Sequence, residues 1–139
     1  MTPRKPAGYS GTPLVKKLGL KPDSRVAFVG APDHLDDLLG PLPDGVTRLR
    51  RPGNEMDFVH VFARTSAELD RRLPACVRAL ARDGALWISW PKKSSPLAAD
   101  LAGDGVRAAG RDAGRVDGKV CAVDEDWSGH KFCYRREDR

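Results

Sequence analysis

Cysteine is scarce in this sequence, and what there is follows no metal-binding spacing. The three are Cys76, Cys121 and Cys133, with no C-x-x-C among them and no histidine placed as a metal finger needs. An odd count with no apolar leader after Met1 points to reduced thiols and a cytoplasmic setting. Long apolar runs are absent too, and a membrane helix needs about 18 residues or more. Aromatics make up 6% of the chain and do not interleave with its arginines and lysines, which argues against a single-strand nucleic-acid reader. There is no Walker loop, no H-E-x-x-H and no G-x-S-x-G elbow. These absences remove the commonest phosphate-cradle, zinc-protease and serine-hydrolase chemistries.

What is there suits one globular domain of 139 residues, 40% hydrophobic. The net charge of +5 is concentrated at the front. Arg4, Lys5, Lys16, Lys17, Lys21 and Arg25 face only Asp23 in the first 25 residues, and the remainder is balanced. A basic arm of this kind supports at most weak, sequence-independent contact with nucleic acid. The organisation expected is an N-terminal arm over 1–11, one domain over 12–136 and a frayed end at 137–139.

Thr12 and Pro13 read as cap and first residue of a short helix that stops near Gly19. Residues 25–30 (RVAFVG), 57–63 (DFVHVFA) and 85–90 (ALWISW) read as buried strands, and 46–50 as a weak one. A short helix is expected over 32–39. Thr65 and Glu68 form a capping box. After it Leu69, Leu73, Cys76, Val77 and Leu80 make one helical face, kinked by Pro74 and stopped by Gly84. Ser95 and Pro96 are expected to open another helix. Residues 116–123 and 131–136 read as two strands about a turn at 125–129. Strands alternating with helices predict an α/β, Rossmann-like layered sandwich, its largely parallel sheet closed by a C-terminal antiparallel hairpin. A ferredoxin-like βαββαβ unit remains the rival for the first part.

Two stretches carry a resemblance. Residues 18–30 (LGLKPDSRVAFVG), and 56–62 with the helix after it and 83–90 (DGALWISW), resemble the first, fourth and fifth strands of the class I methyltransferase fold. That family's G-x-G-x-G loop is reduced here to Gly30 followed by Ala31, Pro32, Asp33 and His34, and its acidic strand residue is Phe28. The missing glycines lead to the expectation of no cofactor, S-adenosylmethionine included. Residues 8–19 (GYSGTPLVKKLG), 90–93 (WPKK) and 119–129 (KVCAVDEDWSG) resemble a family of small bacterial domains of unknown function.

Ligands of open α/β sheets bind beyond the carboxyl ends of the strands. That edge is expected to collect Gly30, His34, Trp90, Lys92, Lys93, Ser95, Asp124 and Trp127. Each also has a plain structural role: His34 on a helix surface, Ser95 as a cap, Asp124 in a solvated turn. His60, between Phe58 and Phe62 on one strand face, reads as a hydrogen-bonded core residue. No catalytic or metal-binding residue is assigned. Tyr9, Ser10, Thr12, Lys16 and Lys17 form an opening motif that either folds over a ligand or packs on its own sheet. Centring the hairpin on Trp127 sets Cys121 opposite Cys133, a candidate redox pair. The main functional reading is a non-catalytic domain binding a small ligand or a protein partner. The alternatives are a methyltransferase-like enzyme and a nucleic-acid accessory protein.

Overall fold

A computed structural model describes residues 13–139 of the protein. Tyr9, Ser10 and Thr12 of the opening motif lie outside the described residues. Six strands form one sheet: β1 (Arg25–Val29), β2 (Thr47–Leu49), β3 (Met56–Phe62), β4 (Leu80–Pro91), β5 (Val116–Ala122) and β6 (Trp127–Cys133). Their order is β2-β1-β3-β4-β6-β5, parallel from β2 through β4 and antiparallel for the last two pairings. This is a Rossmann-like, methyltransferase-like sheet, and β2 pairs in parallel with β1 instead of forming a hairpin with β3, which excludes the ferredoxin-like rival.

The central strands read as unbroken apolar runs because both faces of the sheet are covered. Alternation sends Ala27, Val59, Val61, Leu86 and Ile88 to one face. There they meet α3 (Ser66–Ala79) and α4 (Gly103–Asp112) through Leu69, Leu73, Cys76 and Val106. Val26, Phe28, Phe58, Phe62 and Trp87 go to the other face. It is covered by α1 (Leu14–Leu18) and α2 (Leu35–Leu39). Trp87 is fully buried and donates its indole N–H to the Leu18 carbonyl at 3.0 Å, tying the end of α1 to the sheet. Losing that donor would leave a buried carbonyl unpaired, at a cost of about 1–3 kcal/mol.

Thr65 caps α3, its hydroxyl accepting from the Glu68 amide at 3.1 Å. Glu68 in turn accepts from the Arg64 amide at 2.8 Å, which holds its carboxyl below the ordinary range. Pro74 lies inside the helix as expected. Gly84 does not stop α3. The helix ends at Ala79, Leu80 is already extended, and Gly84 sits inside β4, where a Cβ would come 2.6 Å from the Met56 carbonyl oxygen. Leu80 is buried from the strand rather than from the helix.

The helix expected from Ser95 is a turn. The Ser95 hydroxyl accepts from Leu97 N–H, and α4 begins eight residues later at Gly103 despite three glycines. Packing overrides propensity there: a Cβ on Gly110 would lie 2.2 Å from the Phe132 ring, so only glycine lets α4 approach β6 this closely. The last hairpin also differs. Trp127 opens β6 rather than centring the turn, Ala122 pairs with Ser128, and Cys121 pairs with Gly129. Cys133 pairs with Val116, beyond a register shift. The two cysteines are thus offset by about four residues, or roughly 13 Å along the strands, so the redox pair is not formed.

Candidate functional site

The chain runs from β1 outward to β2, then returns to place β3 on the other side of β1, so the switch point lies between the ends of β1 and β3. Gly30 stands there, the first residue after β1, with φ +68°. A Cβ on it would lie 2.9 Å from the Phe62 carbonyl oxygen and 2.5 Å from Arg72 Nη1. Arg72 reaches back from the second turn of α3 and donates from Nη1 to that same carbonyl at 2.6 Å. Its other nitrogen faces Glu68 at 3.7 Å, and 29% of the side chain stays exposed. A guanidinium therefore lies directly against a bare backbone at the crevice where open α/β sheets take their ligands.

Four loops continue from there around the sheet edge. His34, at the head of α2, places Nε2 2.7 Å from Asp124 Oδ2. Asp124 is fully buried, and its Oδ1 accepts from the Asp126 and Trp127 amides, each at 2.8 Å. These two bonds fold the β5–β6 turn tightly and explain why Trp127 already belongs to the strand. Asp126 accepts from the Ser95 hydroxyl at 2.9 Å through its carboxylate and from Lys92 N–H through its carbonyl. The loop after β4 then meets the loop after β3, because Arg64 Nε donates to Leu97 O at 2.9 Å and Ser66 N–H to Asp100 at 2.8 Å. From Arg64 the path returns through Phe62 to Arg72 and Gly30. The result is a continuous rim of polar contacts around the carboxyl end of the sheet.

Trp127 is buried, edge-on to Phe62 with ring centres 5.3 Å apart, and its indole N–H has no partner among the described residues. An orphaned buried donor at a ligand edge is a polar group waiting for an acceptor. Trp90 is half-buried, with its ring over Gly103. Lys93 is exposed and Lys92 half-buried. Among the described residues neither ammonium group forms an ion pair with a carboxylate.

His60 is completely buried, stacked on Phe62 at 4.2 Å, and bonded through Nε2 to Ser89 Oγ at 2.7 Å. Burial pushes its pKa down to about 3, so it is a neutral core residue. His130 is buried on the opposite face, stacked on Phe132, and burial lowers it as well, against the raising effect of Asp117. Cys76 lies in the core with its thiol pushed up to about 12 by burial. Among the described residues no group of three or more His, Cys, Asp or Glu could hold a metal ion, and no helix is long and apolar enough to cross a membrane.

The structure thus brings Gly30, His34, Trp90, Lys92, Ser95, Asp124 and Trp127 to one edge. It corrects two of their expected roles. Asp124 is buried and paired with His34 rather than solvated, and His34 is half-covered rather than a plain helix-surface residue. Lys16 and Lys17 lie apart on α1, where Lys119 Nζ donates to the Lys17 carbonyl. Sequence reasoning missed Arg72. Arg72 lies off the apolar stripe of α3, and only the short link, with three residues between the end of β3 and the start of α3, could have flagged it.

A six-stranded sheet with four parallel strands, closed by an antiparallel hairpin, has the Rossmann-like arrangement of the methyltransferase fold. Solved structures similar to this chain agree. One is a methyltransferase from Aquifex aeolicus described as SAM-dependent, 16% identical over 86% of each chain with a TM-score of 0.58. Another is the magnesium protoporphyrin IX methyltransferase of Synechocystis PCC 6803 with bound SAM, 13% identical over 88% of this chain and 74% of that one, TM-score 0.57. The same enzyme with bound SAH is similar too, at 10% identity over 88% of this chain and 78% of that one, TM-score 0.57. No family model and no curated protein matches the chain. The expectation of no S-adenosylmethionine is corrected here, because chains of this same fold hold that cofactor or its product. The sequence argument required several glycines for close approach; in the loop that follows β1, Gly30 is the one residue without a Cβ, and one there would clash.

Proposed function

We propose that this chain binds S-adenosylmethionine at the carboxyl edge of its sheet and acts as a methyltransferase, in place of the non-catalytic reading. The observation that carries the proposal is the bare Gly30 backbone facing the Arg72 guanidinium at the β1–β3 switch point. The residues fit the group. Gly30 is the one position of its loop where a Cβ would be excluded, Arg72 offers a fork for a carboxylate, and the Trp127 indole offers a buried donor without a partner. Gly30 lets β1 close on Phe62 and Arg72, Arg72 would hold the cofactor's carboxylate, and Trp127 would take an acceptor atom. When bound, the cofactor supplies a methyl group made electrophilic by its sulfonium. The rim from His34 to Arg64 would orient an acceptor and exclude water.

The likeness of residues 8–19, 90–93 and 119–129 to small bacterial domains supports a shared site for such chains. A cytoplasmic setting matches three unpaired thiols.

Calorimetric titration with S-adenosylmethionine tests the proposal. Saturable micromolar binding, competed by S-adenosylhomocysteine and weakened about tenfold or more by Arg72→Met, is the expected result, since a charge-assisted pair contributes about 1.5–3 kcal/mol. No saturable heat with the wild-type protein overturns it.

A further inference from the structure

Of the groups that could move a proton, only one histidine is both oriented and reachable. The chain has three histidines. His60 and His130 are buried in the two cores. His34 has 27% of its side chain exposed, at the same edge as Gly30 and Trp127. Its Nε2 meets a wholly buried carboxylate contributed from 90 residues away, while Nδ1 has no hydrogen-bond partner among the described residues. Asp124 is fixed from the other side, since both backbone bonds of its turn fall on Oδ1, while Oδ2 meets the imidazole. An ionised carboxylate only accepts. It therefore holds the ring proton on Nε2 and leaves the Nδ1 lone pair bare.

From this geometry we infer that His34 Nδ1 is the proton-accepting group of the site and that Asp124 is its positioning residue. A buried carboxylate that selects a tautomer, with the second ring nitrogen facing outward, is the arrangement by which an imidazole becomes a general base. The acceptor is then one that carries a proton on its nucleophilic atom, a hydroxyl or a protonated amine, rather than a preformed anion. This assignment of the acceptor rests on the methyl-transfer reading above. A hydroxyl passes its proton to Nδ1 as its oxygen bonds to the methyl carbon of a sulfonium donor, whereas a protonated amine passes it first, which frees the nitrogen lone pair that then forms the bond. The carbon–sulfur pair stays on sulfur, giving a neutral thioether. The new imidazolium charge faces the Asp124 carboxylate, and the proton later leaves to water.

The test reads the ring itself. Nitrogen-15 NMR of the wild-type protein should show His34 with Nε2 protonated and Nδ1 bare. Diethyl pyrocarbonate should modify one histidine rapidly, located to His34 by peptide mass. In Asp124→Asn the amide oxygen keeps the two backbone donors, so the amide NH2 must face the imidazole. The proton then moves to Nδ1, and carbethoxylation of His34 slows by at least about tenfold. A wild-type Nδ1 that carries the proton, or a His34 that reacts no faster than His60 and His130, overturns the inference even if the variant does not fold. So does an Asp124→Asn protein that folds with tautomer and rate unchanged. Calorimetry with S-adenosylmethionine on the same wild-type sample separates the two readings: no binding there defeats methyl transfer, while the nitrogen shifts decide the base.

Discussion

Replacing Gly30 by alanine probes the crevice most economically, because Gly19 provides an internal control. Both glycines have left-handed backbone, φ +68° at Gly30 and +78° at Gly19. An L-residue in that region costs about 1–2 kcal/mol. Around Gly19 there is nothing within 4 Å of an added Cβ, so Gly19→Ala should lose only that amount. At Gly30 the added carbon meets the Phe62 carbonyl oxygen at 2.9 Å, and backbone at that distance cannot swing away. The Arg72 contact at 2.5 Å is softer, because a side-chain end can move. Overpacking of this sort adds about 1–3 kcal/mol. Gly30→Ala should therefore lose about 2–5 kcal/mol, at least about 1 kcal/mol more than Gly19→Ala. For a domain of this size that difference is about 3–6 °C in Tm. Urea unfolding of both variants, with equal m-values, measures it. Equal losses at the two positions would show that β1 and β3 do not close on Gly30, and the cradle argument would fail with them.

Acid should destabilise the protein through His60. Its folded pKa of about 3 lies below the unfolded 6.5, so the unfolded chain binds more protons between those values and stability falls as pH drops from 6.5 toward 3. Roughly 2–3 kcal/mol should be gone by pH 4.5. Urea midpoints against pH should show a shallower slope in His60→Leu, with His130 supplying the remainder; an unchanged slope contradicts the assignment. Thr65→Ala removes the α3 cap and should cost about 1 kcal/mol, read by the same unfolding assay. Under oxidising glutathione, mass spectrometry of the native protein should find no Cys121–Cys133 disulfide, and Cys76 should stay unmodified by thiol reagents until unfolding.

The core strands were legible because burial on both faces writes them as apolar runs, and α3 because its cap and stripe are local signals. What was not legible depended on approach between distant segments. Gly110 looks like a helix breaker until Phe132 is seen against it. The hairpin register turned on where the Asp124 side chain sends its bonds, and that choice moves every pairing beyond it. The positions at the sheet edge followed from topology alone, yet their contacts did not. His34 and Asp124 are separated by 90 residues, and neither position announces the other. Arg72 carried no motif, since an arginine on the second turn of a helix is usually solvated. The cofactor expectation failed for a related reason: it counted glycines along a loop instead of asking which one of them the neighbouring strand crowds.

The proposed binding place is the carboxyl edge of the sheet. Nitrogen-15 amide spectra recorded during titration with S-adenosylmethionine report on that place directly. The account predicts that the Gly30, Arg64 and Asp126 amides and the Trp127 indole N–H shift together and saturate. Lys21, Asp83 and Lys131, which line a polar groove of about 180 Å³ near the start of β3, should remain still. Shifts confined to that opposite groove, or no saturating shifts anywhere, would contradict the account.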